Sequence, residues 1–416
     1  MPSLIEGDIT SPAASMRLLT CTAGMNSAAI YINPGALFNE APLTIRYLRI
    51  TNCDQGGILV FAVAYLFLSD LGVSYCTADV GGGLRIESAH ELLAMDRLNV
   101  DNCQSYSTSI GGGGVSVVGM SGYNGFGQPG SASHLRDSTF TNNVANGYGG
   151  GGVLLAYGGD FDVTNCVFQN NDGTGSGGGG LEVQASGGNF LVVNTDFLGN
   201  GQNLAPFGGG LMFVSSEDLS ITIDSCDFLN NNGLISGLLF YGALPSTTIV
   251  VANSLFKDNT AQAGTTAEVT ANILMDSCTF EDNNCSNTDC ALMNYVSGDS
   301  TATFRNTLYW EQGASSKVML LLETDAAAVL DNSPAPNVFC GTDQYAPPFA
   351  IQCIGTNTVT LKEGSGYKGI DPACTVVDQC NSNCIDDCQF AKTLVMDTGA
   401  TEDCTSACVS PCVCYT

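Results

Sequence analysis

Residues 149–171 read GGGGVLLAYGGDFDVTNCVFQNN, and residues 177–200 answer with GGGGLEVQASGGNFLVVNTDFLGN. In both, a glycine run opens one apolar alternation (Val153 and Leu155; Leu181 and Val183), and a second follows (Phe161 and Val163; Phe190 and Val192). A phenylalanine then stands three residues ahead of an asparagine. Working outward, this last element occurs in six copies: Phe140 with Asn143, Phe168 with Asn171, Phe197 with Asn200, Phe228 with Asn231, Phe256 with Asn259, and Phe280 with Asn283. Successive phenylalanines are 28, 29, 31, 28 and 24 residues apart, a period that belongs to one supersecondary unit of a stacked array.

The residues ahead of each phenylalanine share a register. Seven and five positions upstream are apolar, as in Ile221 and Ile223, Ile249 and Val251, and Ile273 and Met275, which marks a strand with one buried face. Two positions upstream the slot is small: Ser138, Cys166, Thr195, Cys226, Ser254 and Cys278. The step from minus five to minus two breaks the period of two, so the chain must turn between them. Asp137, Asn165, Asn194, Ser225, Asn253 and Ser277 stand at the break, and their short polar side chains suit a bend. The asparagine after each phenylalanine, with neighbours such as Asn142, Asn170 and Asn230, reads as a second corner, and the glycine run as a third.

Three short strands and three corners make one coil, and coils stack at the ordinary strand spacing of about 4.8 Å. Because parallel crossovers are overwhelmingly right-handed, the expected fold is all-β, a right-handed parallel β-helix of about ten coils, roughly 50 Å long. Cys53, Cys76 and Cys103 extend the small slot towards the amino terminus, and Leu308 takes the phenylalanine position as the pattern fades. The organisation expected is a cap and first coil over 1–45, the β-helix over 46–335, and a cysteine-rich cap or connector over 336–416.

Gly151-Gly152-Val153, Gly179-Gly180-Leu181 and Gly209-Gly210-Leu211, interleaved with the Phe-x-x-Asn copies over roughly residues 45 to 310, resemble the repeat of the chlamydial polymorphic outer membrane proteins and their β-helical relatives. The resemblance implies a pectin-lyase-like β-helix displayed outside a cell, where the chlamydial members act as adhesins carried by a carboxyl-terminal membrane barrel. Here that end is a cysteine-rich segment, which suits a eukaryotic surface or matrix protein. The repeat carries architecture over and no binding site.

The chain of 416 residues is 44% hydrophobic with 50 glycines and only 12% charged, a composition of a regular β solenoid and not of disorder. Its 40 acidic and 12 basic residues give a net charge of −28, so nucleic acid and anionic membranes are poor partners. The charge suits solubility of a long rod, with binding of calcium or a cationic partner as the sharper alternative. No segment has the alternate aspartates of a calcium loop, and no other cofactor is expected. The apolar run Ile58 to Leu68 is too short to span a bilayer, which needs roughly 20 residues; it reads as a buried pair of strands.

Nineteen cysteines fall into two groups. Those of the small slot (Cys53, Cys76, Cys103, Cys166, Cys226, Cys278) read as compact apolar residues, although the stacking distance also permits a bridge between adjacent coils. Cys285 and Cys290 flank a loop and could close it. Cys340, Cys353, Cys374, Cys380, Cys384, Cys388, Cys404, Cys408, Cys412 and Cys414 crowd a stretch with little apolar core and read as disulfides of an oxidising compartment, with zinc as the runner-up. Residues Met1 to Thr20 lack the apolar stretch of a secretory signal, so an oxidised chain is expected to be a mature fragment or one module of a longer polypeptide. Asn284-Cys285-Ser286 is the single glycosylation triplet.

Catalysis would need paired carboxyl groups, or a base with a metal or arginine. The Asn-Thr-Asp, Gly-His-Gly and Arg-Ile-Lys elements of the pectinase hydrolases are not assembled, and the Asp386-Asp387 pair lies in the cysteine-rich stretch. His90 and His134 have no cluster of ligands around them, and Gly175 to Gly180 matches a dinucleotide pattern without the strand-to-helix context. No catalytic, cofactor or metal residue is therefore assigned. The expected function is an extracellular structural or adhesive module of a cell surface, appendage or matrix, joined to other chains, copies of itself or surface glycans. The alternative is a polysaccharide-binding or carbohydrate-active β-helix, a lyase or hydrolase, whose acidic groups converge only in three dimensions.

Overall fold

Each repeat winds through three main strands, as expected, but many coils add a short fourth after the inward asparagine, as in Val144–Ala145 and Asp172–Gly173, and strands pair with their counterparts in the coils above and below. The structure is a computed structural model that describes residues 3–6, 17–21, 28–33, 42–107, 111–119, 133–157, 159–173, 177–185, 187–202, 207–215, 217–242, 246–264, 267–269, 271–285, 291–296, 300–311, 318–322, 326–331, 338–341, 351–353, 357–361 and 373–378. Among them there is no helix, and every strand pairing is parallel, which makes the chain a parallel β-helix.

The glycine-led strands Val153–Tyr157, Leu181–Ala185, Leu211–Ser215 and Leu238–Tyr241 form one column. A middle column follows from Phe161–Thr164 through Gly188–Val193, Leu219–Asp224, Thr248–Ala252 and Asn272–Asp276 to Thr301–Arg305. The phenylalanine strands, from Thr139–Thr141 to Thr279–Glu281, make the third. Between residues 43 and 305 the middle column has ten rungs, starting at residues 43, 66, 93, 133, 161, 188, 219, 248, 272 and 301. Ser3–Glu6 adds a rung before it, and Ala327–Asp331, Thr358–Leu361 and Thr375–Asp378 add rungs after it, so the ladder runs past residue 335 into the cysteine-rich stretch. The apolar run from Ile58 lies in one long strand, Ile58–Ser74, that bends at Ala62 and Asp70 and so serves all three columns.

The first corner falls where the periodicity breaks. Asp137, Asn165, Asn194, Ser225, Asn253 and Ser277 all take left-handed backbone, with φ between 49° and 56°, a conformation that short polar side chains tolerate best after glycine. The second corner lies one residue earlier than the sequence suggested. Asn142, Asn170, Gly199, Asn230, Asp258 and Asp282 carry the positive φ, while the asparagine that follows each points inward and is at most 1% exposed.

Those inward asparagines form a hydrogen-bonded column through the protein. Each backbone N–H from Asn143 to Asn259 donates to the side-chain oxygen of the next coil's asparagine at 2.9–3.2 Å. Each side-chain nitrogen donates to the same oxygen at 2.9–3.1 Å. From Asn171 onward it also donates to the phenylalanine carbonyl of the coil before, as in Asn200 to Phe168 at 2.9 Å. An apolar residue here would leave corner N–H and C=O groups buried without partners, which costs about 1–3 kcal/mol each.

Beside this column the phenylalanines stack. Ring centroids from Phe140 to Phe280 are 4.7–5.1 Å apart and the rings lie within 14° of parallel. In the next coil Phe280 pairs with Tyr309 and Thr279 with Leu308, so tyrosine and not Leu308 takes the phenylalanine position. The glycine runs make room for both columns: a Cβ on Gly180 would stand 3.2 Å from Phe197 Cδ1 and from Asn200 Nδ2, and 2.6 Å from the Gly210 carbonyl.

The small slot binds hydrogen as well as filling space. Ser138, Thr195 and Ser254 hydroxyls donate to the carbonyl two residues back at 2.6–3.0 Å. The thiols of Cys166, Cys226 and Cys278 make the same contact at 3.4–3.6 Å. From Ser138 to Cys278 the slot thus holds only residues with a short donor, a regularity visible in the sequence, whereas Leu98 takes the position one coil earlier.

Candidate interaction surface

Which flank of the rod meets solvent is decided by what lies over the glycine-led strands. The outward positions of that column, Ser116, Leu154, Glu182, Met212 and Leu239, are successive register partners and all are buried. Met212, Leu239 and Ile235 form a small apolar cluster of their own outside the main core. Glu182 is 2% exposed; its carboxylate accepts the Gly178 N–H at 3.0 Å and the Gln184 amide at 2.6 Å, and burial pushes its pKa up. It is a structural residue. Apolar residues at Leu154, Met212 and Leu239, between the inward ones, were the sequence signal for a covered face.

The middle and phenylalanine strands carry the open flank. Four of its cations are drawn into pairs between neighbouring coils: Arg97 with Asp70 by two hydrogen bonds of 2.7 and 2.9 Å, Arg136 with Asp162 at 3.3 Å, Lys257 with Glu281 and Arg305 with Asp276 at 2.5 Å each. At the corners asparagine amides bridge to acids, as in Asn165 to Asp137 at 3.0 Å and Asn253 to Asp224 at 2.8 Å. The flank is therefore an ordered strip of amide and carboxylate. Among the described residues no group of three or more His, Cys, Asp or Glu side chains is placed to hold a metal ion.

One pair of like charges stands in this strip. Asp196 and Asp227 are direct register partners on adjacent phenylalanine strands. Partial burial raises both pKa values, and the Asp227 charge raises that of Asp196 further. A carboxyl group whose folded pKa lies above its unfolded value destabilises the fold at neutral pH, and the deficit disappears as pH falls through the folded value. Asp70 has the opposite sign: its hydrogen bond to Arg97 lowers its pKa, a contribution present above the unfolded value and lost as pH falls through the folded one. Asp196→Asn is expected to raise stability at pH 7 by about 0.5 kcal/mol, the scale of a half-screened surface charge, and to change nothing at pH 3. Parallel denaturant titrations at the two pH values would check it; an equal gain at both would place the effect elsewhere than in charge.

The other residues singled out are dispersed. His134 lies outward on a middle strand with Nε2 3.4 Å from Asp96 Oδ1, and His90 lies on the strand Leu84–Asp101. Asp386 and Asp387 fall outside the described residues. Asn284, on the exposed side of a corner beside buried Asn283, is accessible.

Cys76, Cys103, Cys166, Cys226 and Cys278 are buried free thiols, but Cys53, Cys76 and Cys103 do not extend the small slot as the sequence suggested: Leu98 stands opposite Ser138 there, and Cys103 stands in register with the inward Asn143. Burial pushes those of Cys166, Cys226 and Cys278 up to about 12, so they are inert at neutral pH. Cys53 departs from the compact-apolar reading: it is bonded to Cys21 of the adjacent coil, with Cα atoms 4.9 Å apart. Cys353 and Cys374 are bonded to each other. Cys285 and Cys340 lie on the described strands Asn284–Cys285 and Val338–Gly341. Cys290, Cys380, Cys384, Cys388, Cys404, Cys408, Cys412 and Cys414 lie outside the described residues.

A family model described as a right handed beta helix region matches residues 124–308. The ladder described above is thus a right-handed parallel β-helix. No curated protein and no solved structure matches the chain. No helix among the described residues is long and apolar enough to cross a membrane, which leaves strands unaddressed.

Proposed function

We propose that this β-helix is a non-catalytic structural or adhesive module held outside the cell, of the kind the polymorphic outer membrane protein-type repeat implies. The supporting observation is the pair of disulfides, Cys21–Cys53 near the first described rungs and Cys353–Cys374 near the last. Disulfides persist in oxidising surroundings, and in a solenoid the terminal coils have a neighbour on one side only. The acidic flank supports a cationic patch on another protein, or calcium shared with a partner, as what it meets. Exposed Asn284 supports glycosylation in that setting.

Electron microscopy of the purified chain, with a cell-binding assay and a polysaccharide panel, tests the proposal. Rods or filaments that attach to surfaces and leave the panel intact are expected. Monomeric rods that depolymerise a polysaccharide would replace this reading with the carbohydrate-active one. For that second reading the favouring observation is the Asp196–Asp227 pair, two carboxyl groups on adjacent rungs with raised pKa values, since glycoside hydrolysis needs paired acids. Loss of such cleavage in Asp227→Asn would assign it.

A further inference from the structure

In the coils ahead of Asn143 the inward asparagine position is held by cysteine: Cys103 precedes Gln104, the register partner of Val144, and its N–H donates to the Asn143 side-chain oxygen at 2.9 Å, while Cys76 and Cys53 take the same position in the two coils before. In the small slot the order from Ser138 is Cys166, Thr195, Cys226, Ser254, Cys278 and Thr307, where every cysteine is separated from the next by a hydroxyl residue. The order decides which pairs can be bonded, because a disulfide needs Cα atoms within about 7 Å. Neighbouring rungs satisfy this, as the 4.9 Å of Cys21 and Cys53 shows. Rungs two apart, at about 9.6 Å, do not.

Cys76 and Cys103 are the remaining neighbours. Their coils are in direct register on both sides of the pair, Ser74 opposite Asp101 and Thr77 opposite Gln104. The Tyr75 N–H donates to the Asp101 carbonyl at 3.1 Å and the Gln104 N–H to the Cys76 carbonyl at 2.9 Å. Both side chains are at most 1% exposed and point into the same interior column as the Cys21–Cys53 bond. We infer that Cys76 and Cys103 are a second inter-coil disulfide site, reduced in this structure, which on oxidation clasps their two coils as Cys21–Cys53 clasps the two before them.

Each thiol is hydrogen-bonded by the other, so that once one has attacked an oxidant its neighbour stands ready to resolve the mixed disulfide. With a small-molecule disulfide as oxidant and Cys76 reacting first, the Cys76 thiolate attacks one sulfur and expels the other half as a thiolate. Cys103, losing its proton to solvent, then attacks Cys76 Sγ and expels the second half. Two cysteine thiols become one disulfide, and the oxidant is reduced to two thiols. Because the pair is enclosed in the wound coil, the reaction belongs to folding or to opening of the end coils.

The full chain, reduced, unfolded and refolded with glutathione disulfide, would be alkylated under denaturing conditions and its linked peptides mapped by mass spectrometry. A Cys76–Cys103 link beside Cys21–Cys53 is expected, with Cys166, Cys226 and Cys278 alkylated as free thiols. Free Cys76 and Cys103 in a sample whose Cys21–Cys53 bond has formed would overturn the inference, as would a Cys53–Cys76 link. Cys103→Ser, close to isosteric, should leave Cys76 alkylated and the Cys21–Cys53 bond intact. A new partner for Cys76 in that variant would show that register does not control the pairing.

Discussion

Replacing Asn200 with alanine is expected to destabilise the solenoid by on the order of 3–5 kcal/mol, several buried polar groups losing partners at once. The Asn200 side-chain oxygen accepts the Asn171 backbone N–H and side-chain amide at 3.0 and 3.1 Å, and its nitrogen serves the Phe168 carbonyl and the Asn231 oxygen at 2.9 and 3.0 Å. All of these lie where water does not reach, Asn171, Asn200 and Asn231 having no exposed surface. Aspartate at the same site would keep the acceptors but lose the donor and bury a charge, so it should rescue little. Denaturant unfolding followed by circular dichroism would measure both variants. A cost for Asn200→Ala below about 1 kcal/mol, the net worth of one ordinary hydrogen bond, would contradict the column as described.

Phe197→Ala is expected to cost about 3–5 kcal/mol, the range for removing a buried aromatic side chain when the surroundings close only in part. Phe197 has no exposed surface and stacks on Phe168 at 5.1 Å and Phe228 at 4.9 Å. The hole cannot collapse along the axis, since the coil spacing is set by backbone hydrogen bonds on both sides. Phe197→Leu should cost visibly less. A solenoid distributes stability along its coils, so hydrogen exchange should show the loosening centred on the coils of Phe168 and Phe228. A loss spread evenly over the chain would argue against nearest-neighbour stacking.

The fold was legible because its period is strict: inward residues recur in register, and the break before each phenylalanine forces a corner that Asn165, Ser225 and their counterparts can adopt. The asparagine after each phenylalanine was read as the corner because asparagine favours bends, yet the residue before it bends and the asparagine faces in. Its invariance across six copies was the clue, since a bend tolerates Asp258, Asp282 or Gly199 whereas the interior column needs both an amide donor and an acceptor. Less of the surface was legible. Alternation with Leu181 and Val183 sets Glu182 outward, but alternation does not reveal what covers an outer face. Nor could spacing single out Cys21 as the partner of Cys53, because the amino-terminal coils lack the phenylalanine that sets the register elsewhere.

The stacked interior column is tested most directly by ring-to-ring nuclear Overhauser contacts in a sample labelled only at phenylalanine, with assignments by single substitution. Contacts from Phe197 to both Phe168 and Phe228, and none between Phe168 and Phe228, are predicted from ring separations of 5.1 and 4.9 Å along one axis. Absence of either neighbour contact, or a direct Phe168 to Phe228 contact, would contradict a solenoid wound in this register.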